Sequence, residues 1–326
     1  MEYVSLNEQV LKPEVKMKNK GVSLAAILTA VFCISGTVLA TCPSMDLSGD
    51  CRVDMKDFSL LAGQWISVYD PNDLTAMALQ WLTVGTPDMT WVSISDPGVS
   101  GHEVFIGEMS KYETTNAQYC EYLNAAKASG DIRVEGNYVK GNSGPYSGQD
   151  YYNLAGTGYT YNGATDGGAA RIVWTGSSFT VVDAAFENHP VTYVTWYGST
   201  AFAGYYGWRL PTEWEWQAVA DFDGTYSYGH GPGAIENHLA NFYNSAHPYG
   251  TTAAGAYAMM HGYEIAHMAG NVWEWTSSCY YEDCSYGTRV LRGGGWDNPY
   301  LDCSVLYRSS SYPNIMYHTY GFRVCR

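Results

Sequence analysis

Hydrophobic and polar positions change rhythm several times along this chain. Val22 to Ala40 is a largely apolar run preceded by Lys16, Lys18 and Lys20. DFSLLAGQWI (Asp57 to Ile66) then shows a helical apolar pattern that recurs sixteen residues later as DLTAMALQWL (Asp73 to Leu82). Asp, Ala, Gln and Trp repeat in register, which predicts a duplicated short helix. From Met89 the pattern shortens: TWVSI and EVFIG alternate as strands do, and KYETTNAQYCEYLNAA begins a helix. Thr115 and Gln118 predict a capping box there, hydroxyl onto the N3 amide and amide side chain back onto the cap. Residues 130–188 are rich in Gly, Tyr, Asn and Ser, with short strand-like runs RIVWTG and SFTVVD, and read as a β-rich insertion. Farther on, Thr195 is expected to cap a helix ending at Gly207. Pro211 stops a strand, and Thr212 with Glu215 predicts a second capping box.

Composition narrows the class. A chain of 326 residues, 46% apolar, suggests one large domain plus something small. Its 29 tyrosines, 35 glycines and 11 tryptophans point to a loop-rich fold packed through aromatic rings. A formal charge of -15 excludes nucleic acid as the expected partner, because neutralising phosphate needs a basic face. The lysines and apolar run read as a signal peptide over residues 1–40, so the protein is expected to be exported: secreted, periplasmic or cell-surface. A retained membrane anchor is the competing reading. Of the eight cysteines, Cys33 lies in that run, leaving Cys42, Cys51, Cys120, Cys279, Cys284, Cys303 and Cys325. In an oxidising compartment some should pair; Cys42 with Cys51 and Cys279 with Cys284 are near enough for local bridges. Cys120, on a predicted helix, reads as a packed core thiol.

DLSGDCRVDMKD places Asp46, Ser48, Asp50, Asp54 and Asp57 at positions 1, 3, 5, 9 and 12 of a calcium loop, with the Arg52 carbonyl at position 7. Cys51 stands where such a loop usually has glycine. Residues 42–82 resemble a dockerin-type module, whose calcium loops dock onto cohesin-bearing scaffold proteins. The second loop is reduced to Asp70-Pro71-Asn72-Asp73, so a small calcium-binding spacer is an equal reading. Residues 83–88 form the linker and 89–326 the main domain.

Several chemistries find no support. Arg209, Glu213 and Glu215 offer a carboxylate pair with an arginine, but cap geometry is expected to account for both glutamates, against a glycosidase. HGYEIAH lacks the one-turn spacing of a helical zinc site. No nucleophile elbow, phosphate-binding loop or dinucleotide fingerprint occurs.

The strongest signal lies in the last 57 residues: GNVWEWTSSC from Gly270, RVLRGGGWDNPYLDC from Arg289, and YGFRVCR from Tyr320. With KYETTNAQYCEYLN and HPVTYVTWYGSTAFAGYYGWRLPTEWEWQAVA, these closely resemble the formylglycine-generating enzyme, or sulfatase-modifying factor, family. The resemblance covers roughly residues 89–326 and implies an irregular α+β fold related to C-type lectins. It also implies a centre reading G-G-S-aromatic-x-C, four residues, then C, whose two cysteines hold Cu(I) and oxidise a sulfatase cysteine. Laid on this chain, Gly295 stands at the serine, Trp296 at the aromatic, Asn298 at the first cysteine and Cys303 at the second. Trp273 matches the tryptophan of the oxygen pocket, and Arg292 and Trp296 are the expected binding residues. Two family calcium sites carry over in part: Asn241 with Phe242, and Gly270 and Val272 with the Glu274 carboxylate. His267 stands where the second site usually has Asn or Asp. With one thiol of two, copper is not expected to bind; Cys303 is expected either to pair with Cys325 or to remain free. The expected function is a non-catalytic domain binding a peptide, protein or glycan, with calcium as cofactor. The alternative is a formylglycine-generating oxidoreductase acting on a sulfatase.

Overall fold

A computed structural model describes residues 44–49, 52–53, 55–63, 85–98, 104–161, 164–245, 250–257 and 262–326. The signal peptide, the Cys42–Cys51 bridge, Asp50, Asp54 and the second helical repeat lie outside the described residues. The first repeat forms α1 (Met55–Gly63), whose Leu61 packs on Met45 and Val53.

The main domain opens with a hairpin, β1 (Trp91–Asp96) and β2 (Phe105–Ser110), paired antiparallel from Trp91↔Ser110 to Asp96↔Phe105. The chain's last residues pair with the same hairpin, through Ser110 N–H to Val324 O and reciprocal bonds between Glu108 and Arg326. Next comes α2 (Asn116–Ser129), which starts where Thr115 and Gln118 form the expected capping box and ends at Gly130 with φ 82°. Only a residue tolerant of the left-handed region closes a helix this way. Residues 130–188 are indeed β-rich. They form a three-stranded antiparallel sheet of β3 (Ile132–Glu135), β4 (Tyr138–Gly141) and β5 (Asp150–Asn153). Two hairpins follow: β6 (Tyr159–Tyr161) with β7 (Ala164–Gly167), and β8 (Ile172–Trp174) with β9 (Phe179–Val181).

Thr195 caps α3 (Trp196–Tyr205), and Thr212 with Glu215 boxes the start of α4 (Glu213–Asp221). Gly207 sits two residues past α3 at φ 75°. The central sheet has the order β12 (Ser309–Ser311), β11 (Arg289–Arg292), β10 (Trp273–Cys279), β13 (Tyr320–Gly321), antiparallel except for the β10–β13 pair. Trp273, Glu274, Trp275 and Thr276 are all buried, so the first half of β10 is covered on both faces. Its flanking tryptophans satisfy their N–H groups inside the core: Trp275 donates to Val194 O at 3.1 Å and Trp196 to Thr276 O at 2.8 Å.

The aromatic content concentrates in one core around Tyr119, Tyr152, Phe202, Trp275 and Phe322. A second core gathers Ile94, Met109, Trp216, Val219, Met268 and Cys325. Cys303 belongs to neither; it packs with Ala240, Phe242 and Ala269. Of the two outcomes left open for Cys303, pairing with Cys325 or a free thiol, the structure shows the free thiol: both cysteines are buried and unbridged, in different clusters. Cys279 and Cys284 do bridge. Cys120 is a buried free thiol in the aromatic core, and burial followed by Glu121 pushes it up to about 12. One further expectation changes. Glu215 completes the cap and takes a bidentate Arg209, but Glu213 caps nothing and instead receives Arg308 Nε at 2.5 Å and Nη2 at 2.6 Å.

Candidate functional site

Trp273 leads β10, and the turn after β11 carries Gly293 to Asn298 past it. Gly293 and Gly294 adopt φ of 93° and 77°, conformations that exclude most side chains. The turn brings Asn298 Oδ1 to within 2.9 Å of Trp273 Nε1, which donates to it. The Asn298 side-chain N–H also reaches Asp302 Oδ2 at 3.4 Å, and the Asn298 backbone carbonyl accepts Tyr243 N–H at 2.9 Å. A short 3₁₀ turn, Tyr300–Cys303, then buries Cys303 completely. A Cβ placed on Gly294 would lie 2.7 Å from Cys303 Sγ, so backbone is pressed directly against the thiol. Burial, then the Asp302 carboxylate, push that thiol up to about 12, partly opposed by the Gly270 backbone. Gly295 is equally confined: its Cβ would meet Thr319 Cβ at 2.9 Å and Asn298 Oδ1 at 3.0 Å.

The structure thus brings Trp273, Asn298, Gly295 and Cys303 into one neighbourhood. Arg292 and Trp296, expected as binding residues, are 0% and 1% exposed. Arg292 donates to the carbonyls of Val305 (2.9 Å) and Tyr307 (2.7 Å) and to Gln217, and lies over Trp216. Burial, only partly offset by Glu213, lowers its pKa to about 10. The Trp296 ring lies 5.5 Å from that of His318 at a tilt of 57°, and His318 Nε2 is 2.8 Å from Asp297 Oδ2. Around Asn298 the surface is apolar: Tyr243, Tyr300, Leu301 and Tyr307 are exposed, and the Tyr307 ring lies 6.0 Å from that of Trp273.

The calcium sets fare differently. Both oxygens of Glu274, expected to face a cation, face Arg323 instead, at 2.7 Å each, and Oε2 also accepts Trp216 Nε1. Burial works against the Arg323 charge, but Glu274 and Glu113 outweigh it and hold the guanidinium protonated. The other set meets the first through backbone: Asn241 and Gly270 form a parallel bridge, and a Cβ on Gly270 would lie 2.2 Å from Asn241 O. Phe242 is buried, its N–H on Ser245 Oγ, and Val272 is buried beside the ion pair's strand. In the N-terminal loop, Asp46 Oδ1 accepts Ser48 Oγ and Gly49 N–H, while buried Asp57 accepts the N–H groups of Leu47 and Ser48. The first and last acidic positions therefore tie down the same stretch of backbone.

A buried network went unread in the sequence. Glu113, at the mouth of α2, accepts from Asn271 Nδ2 at 2.9 Å and lies 3.0 Å from His267 Nδ1; Asn271 in turn joins Asn241 and Thr252. Burial would raise the Glu113 carboxyl, but His267 and Arg323 prevail and hold it below its usual range. The available signal was that His267, four residues before Asn271, replaces an expected oxygen ligand.

Comparison with known proteins identifies the family and agrees with the fold. Residues 101–326 match the sulfatase-modifying factor enzyme 1-like domain. The chain is 34% identical over 162 residues to a serine/threonine-protein kinase pkn1 of Chlamydia caviae, covering 45% of this chain and 25% of that protein. It is 31% identical over 163 residues to the formylglycine-generating enzyme of Streptomyces coelicolor, 42% of this chain and 52% of the relative. It is 31% identical over 119 residues to the inactive C-alpha-formylglycine-generating enzyme 2 of Bos taurus, 33% and 38% respectively. The aligned stretches thus span from a quarter to about half of these relatives' lengths. Among solved structures, CarF superposes with a TM-score of 0.53 at 17% identity, over 73% of this chain and 98% of that one. The α+β architecture, the glycine-lined turn beside Trp273 and the family match over residues 101–326 together make this chain a member of the sulfatase-modifying factor enzyme 1-like domain family.

Proposed function

We propose that this chain is an exported, non-catalytic binding domain of its family. The observation that carries the reading is Asn298, an amide bonded to Trp273 Nε1 at the position that the family resemblance gives to the first copper cysteine. Cu(I) is gripped by soft thiolates, ideally two in line. Here one thiol is sealed from solvent with its proton held up to about 12, and the second donor is a hard amide. The space of the family serine is taken by Thr319 and by Asn298 itself. These residues do not fit a bis-thiolate copper centre. The similarity to a relative named as inactive is in keeping with this.

What the neighbourhood offers is an apolar rim of Tyr243, Tyr300, Leu301 and Tyr307, the kind of exposed patch that receives a peptide. A peptide of a sulfatase or another exported protein is the proposed occupant; a glycan or a cohesin-like scaffold contact is the second choice. The Cys279–Cys284 bridge suits an oxidising compartment. Calcium is proposed for the N-terminal loop, where Asp46 and Asp57 already order the backbone.

The oxidase reading is favoured by the similarity to the Streptomyces enzyme. The test is aldehyde formation on a sulfatase-derived cysteine peptide with copper and oxygen supplied. No aldehyde is expected; aldehyde formed by this chain and lost in Cys303→Ser would overturn the proposal.

A further inference from the structure

Away from the residues around Asn298, α2, α3 and the β3–β4–β5 segment line a half-open cavity of about 430 Å³. It shares no lining residue with the Trp273–Asn298–Cys303 neighbourhood. Four tyrosines form much of its wall: Tyr122 from α2, Tyr146 and Tyr151 from the β4–β5 segment, and Tyr205 from α3. One carboxylate, Asp131, belongs to the lining. Its orientation is fixed, because Ser129 Oγ donates to Oδ2 at 2.6 Å and Ser143 Oγ to Oδ1 at 2.7 Å. The side chain is still 36% exposed. Tyr122 meets Tyr205 edge to face at 5.5 Å, setting ring faces at an angle around the space. Burial, then Asp131, push Tyr151 up to about 12, so the wall stays neutral beside the one anion. The volume falls within the range of small-ligand sites.

The chain itself shows what this wall attracts. Arg52, from the loop between Asp46 and Asp57, places Nη1 3.3 Å from Asp131 Oδ2 and its guanidinium carbon 5.1 Å from the centre of the Tyr205 ring. A planar cation is thereby held by a carboxylate and an aromatic face at once, the combination that favours guanidinium over neutral groups. Arg52 is not among the lining residues: it engages the rim and leaves the cavity open.

We infer that this tyrosine-lined cavity is a binding site for an organic cation, a guanidinium foremost, with Arg52 as the resident competitor at its rim. Aromatic walls supply the cation–π attraction, Asp131 supplies the counter-charge, and the hydroxyls of Ser129 and Ser143 keep that charge aimed. Displacing Arg52 exchanges one cation for another, so removing it should raise affinity rather than lower it.

The test is calorimetric titration of the full chain with Nα-acetyl-L-arginine amide, with the citrulline amide as the neutral isostere and tetramethylammonium as an ammonium probe. Saturable one-to-one binding of the arginine amide is expected, at least tenfold tighter in Arg52→Ala and at least tenfold weaker in Asp131→Asn. The citrulline amide should bind at least tenfold more weakly than the arginine amide. Gly204, an exposed helical lining residue whose added Cβ meets nothing within 4 Å, gives a second route: Gly204→Met should obstruct part of the cavity and weaken binding at least tenfold without disturbing Asp131. If arginine amide saturates neither the parent nor Arg52→Ala, if citrulline binds equally, or if Gly204→Met binds like the parent, the inference is wrong. Tetramethylammonium binding equally to arginine amide would overturn the preference for guanidinium.

Discussion

Replacing Arg323 by methionine should be among the most damaging single changes in this domain. Arg323 is fully buried and makes five contacts of hydrogen-bonding length. Two go to the Glu274 carboxylate at 2.7 Å, and three to the carbonyls of Ala266 (2.9 Å), Ser110 (3.2 Å) and Lys111 (3.4 Å). Methionine fills much of the volume but donates nothing. Among the described residues, Glu274 would then keep Trp216 Nε1 as its side-chain donor, and three carbonyls would lose a donor. Breaking a buried ion pair from one side costs about 3–5 kcal/mol, chiefly because the partner charge is stranded. Replacing both partners removes that stranded charge, so Glu274→Leu with Arg323→Met should cost less than the two single changes summed, by about 2 kcal/mol or more. Urea unfolding followed by tryptophan fluorescence reads this directly, because Trp216, bonded to Glu274, and Trp275 are both fully buried. A cost below about 1 kcal/mol for Arg323→Met, or costs that add to within about 0.5 kcal/mol, would refute the reasoning.

Four further outcomes follow from the same geometry. Gly295→Ser should destabilise by about 1–3 kcal/mol through overpacking against Thr319 and Asn298, measured as a lowered urea midpoint. Glu113 is held below its usual range, so its contribution is complete above the unfolded carboxylate value of about 4.3 and lost as pH falls through the folded value; Glu113→Gln should flatten the acid side of a melting temperature–pH profile. Opening the Cys279–Cys284 bridge, separated by five residues, should cost about 2 kcal/mol, read by comparing Cys279→Ser/Cys284→Ser with the parent. Asp46→Ala should abolish a calcium-dependent rise in melting temperature, and a parent protein showing no such rise would remove calcium from that loop.

Features governed by neighbours in sequence were legible before the structure. Both capping boxes, the Thr195 cap and the Cys279–Cys284 bridge depend on residues three to five apart, and each formed as read. Glu213 shows where that logic stops: beside a cap residue it looked like part of the cap, but its partner Arg308 lies 95 residues away. Arg292 and Trp296 sit in a glycine-rich stretch and were expected as binding residues. The glycines instead let backbone close over them, burying both. The network of Glu113 with His267 and Asn271 spans more than 150 residues of sequence, so no local pattern could join its members. At the candidate site, the identities of Asn298 and Cys303 were readable from motif spacing. The bond from Trp273 to Asn298 and the complete burial of the thiol needed the fold.

The proposed non-catalytic role rests on Asn298, an amide where the family resemblance places a second soft donor. Competitive titration of the purified chain with Cu(I) against a chromophoric chelator tests it most directly. The parent should leave the chelator's copper untouched, while Asn298→Cys, restoring a second thiol, should withdraw one Cu(I) per chain. Stoichiometric Cu(I) capture by the parent, lost on Cys303→Ser, would contradict the account.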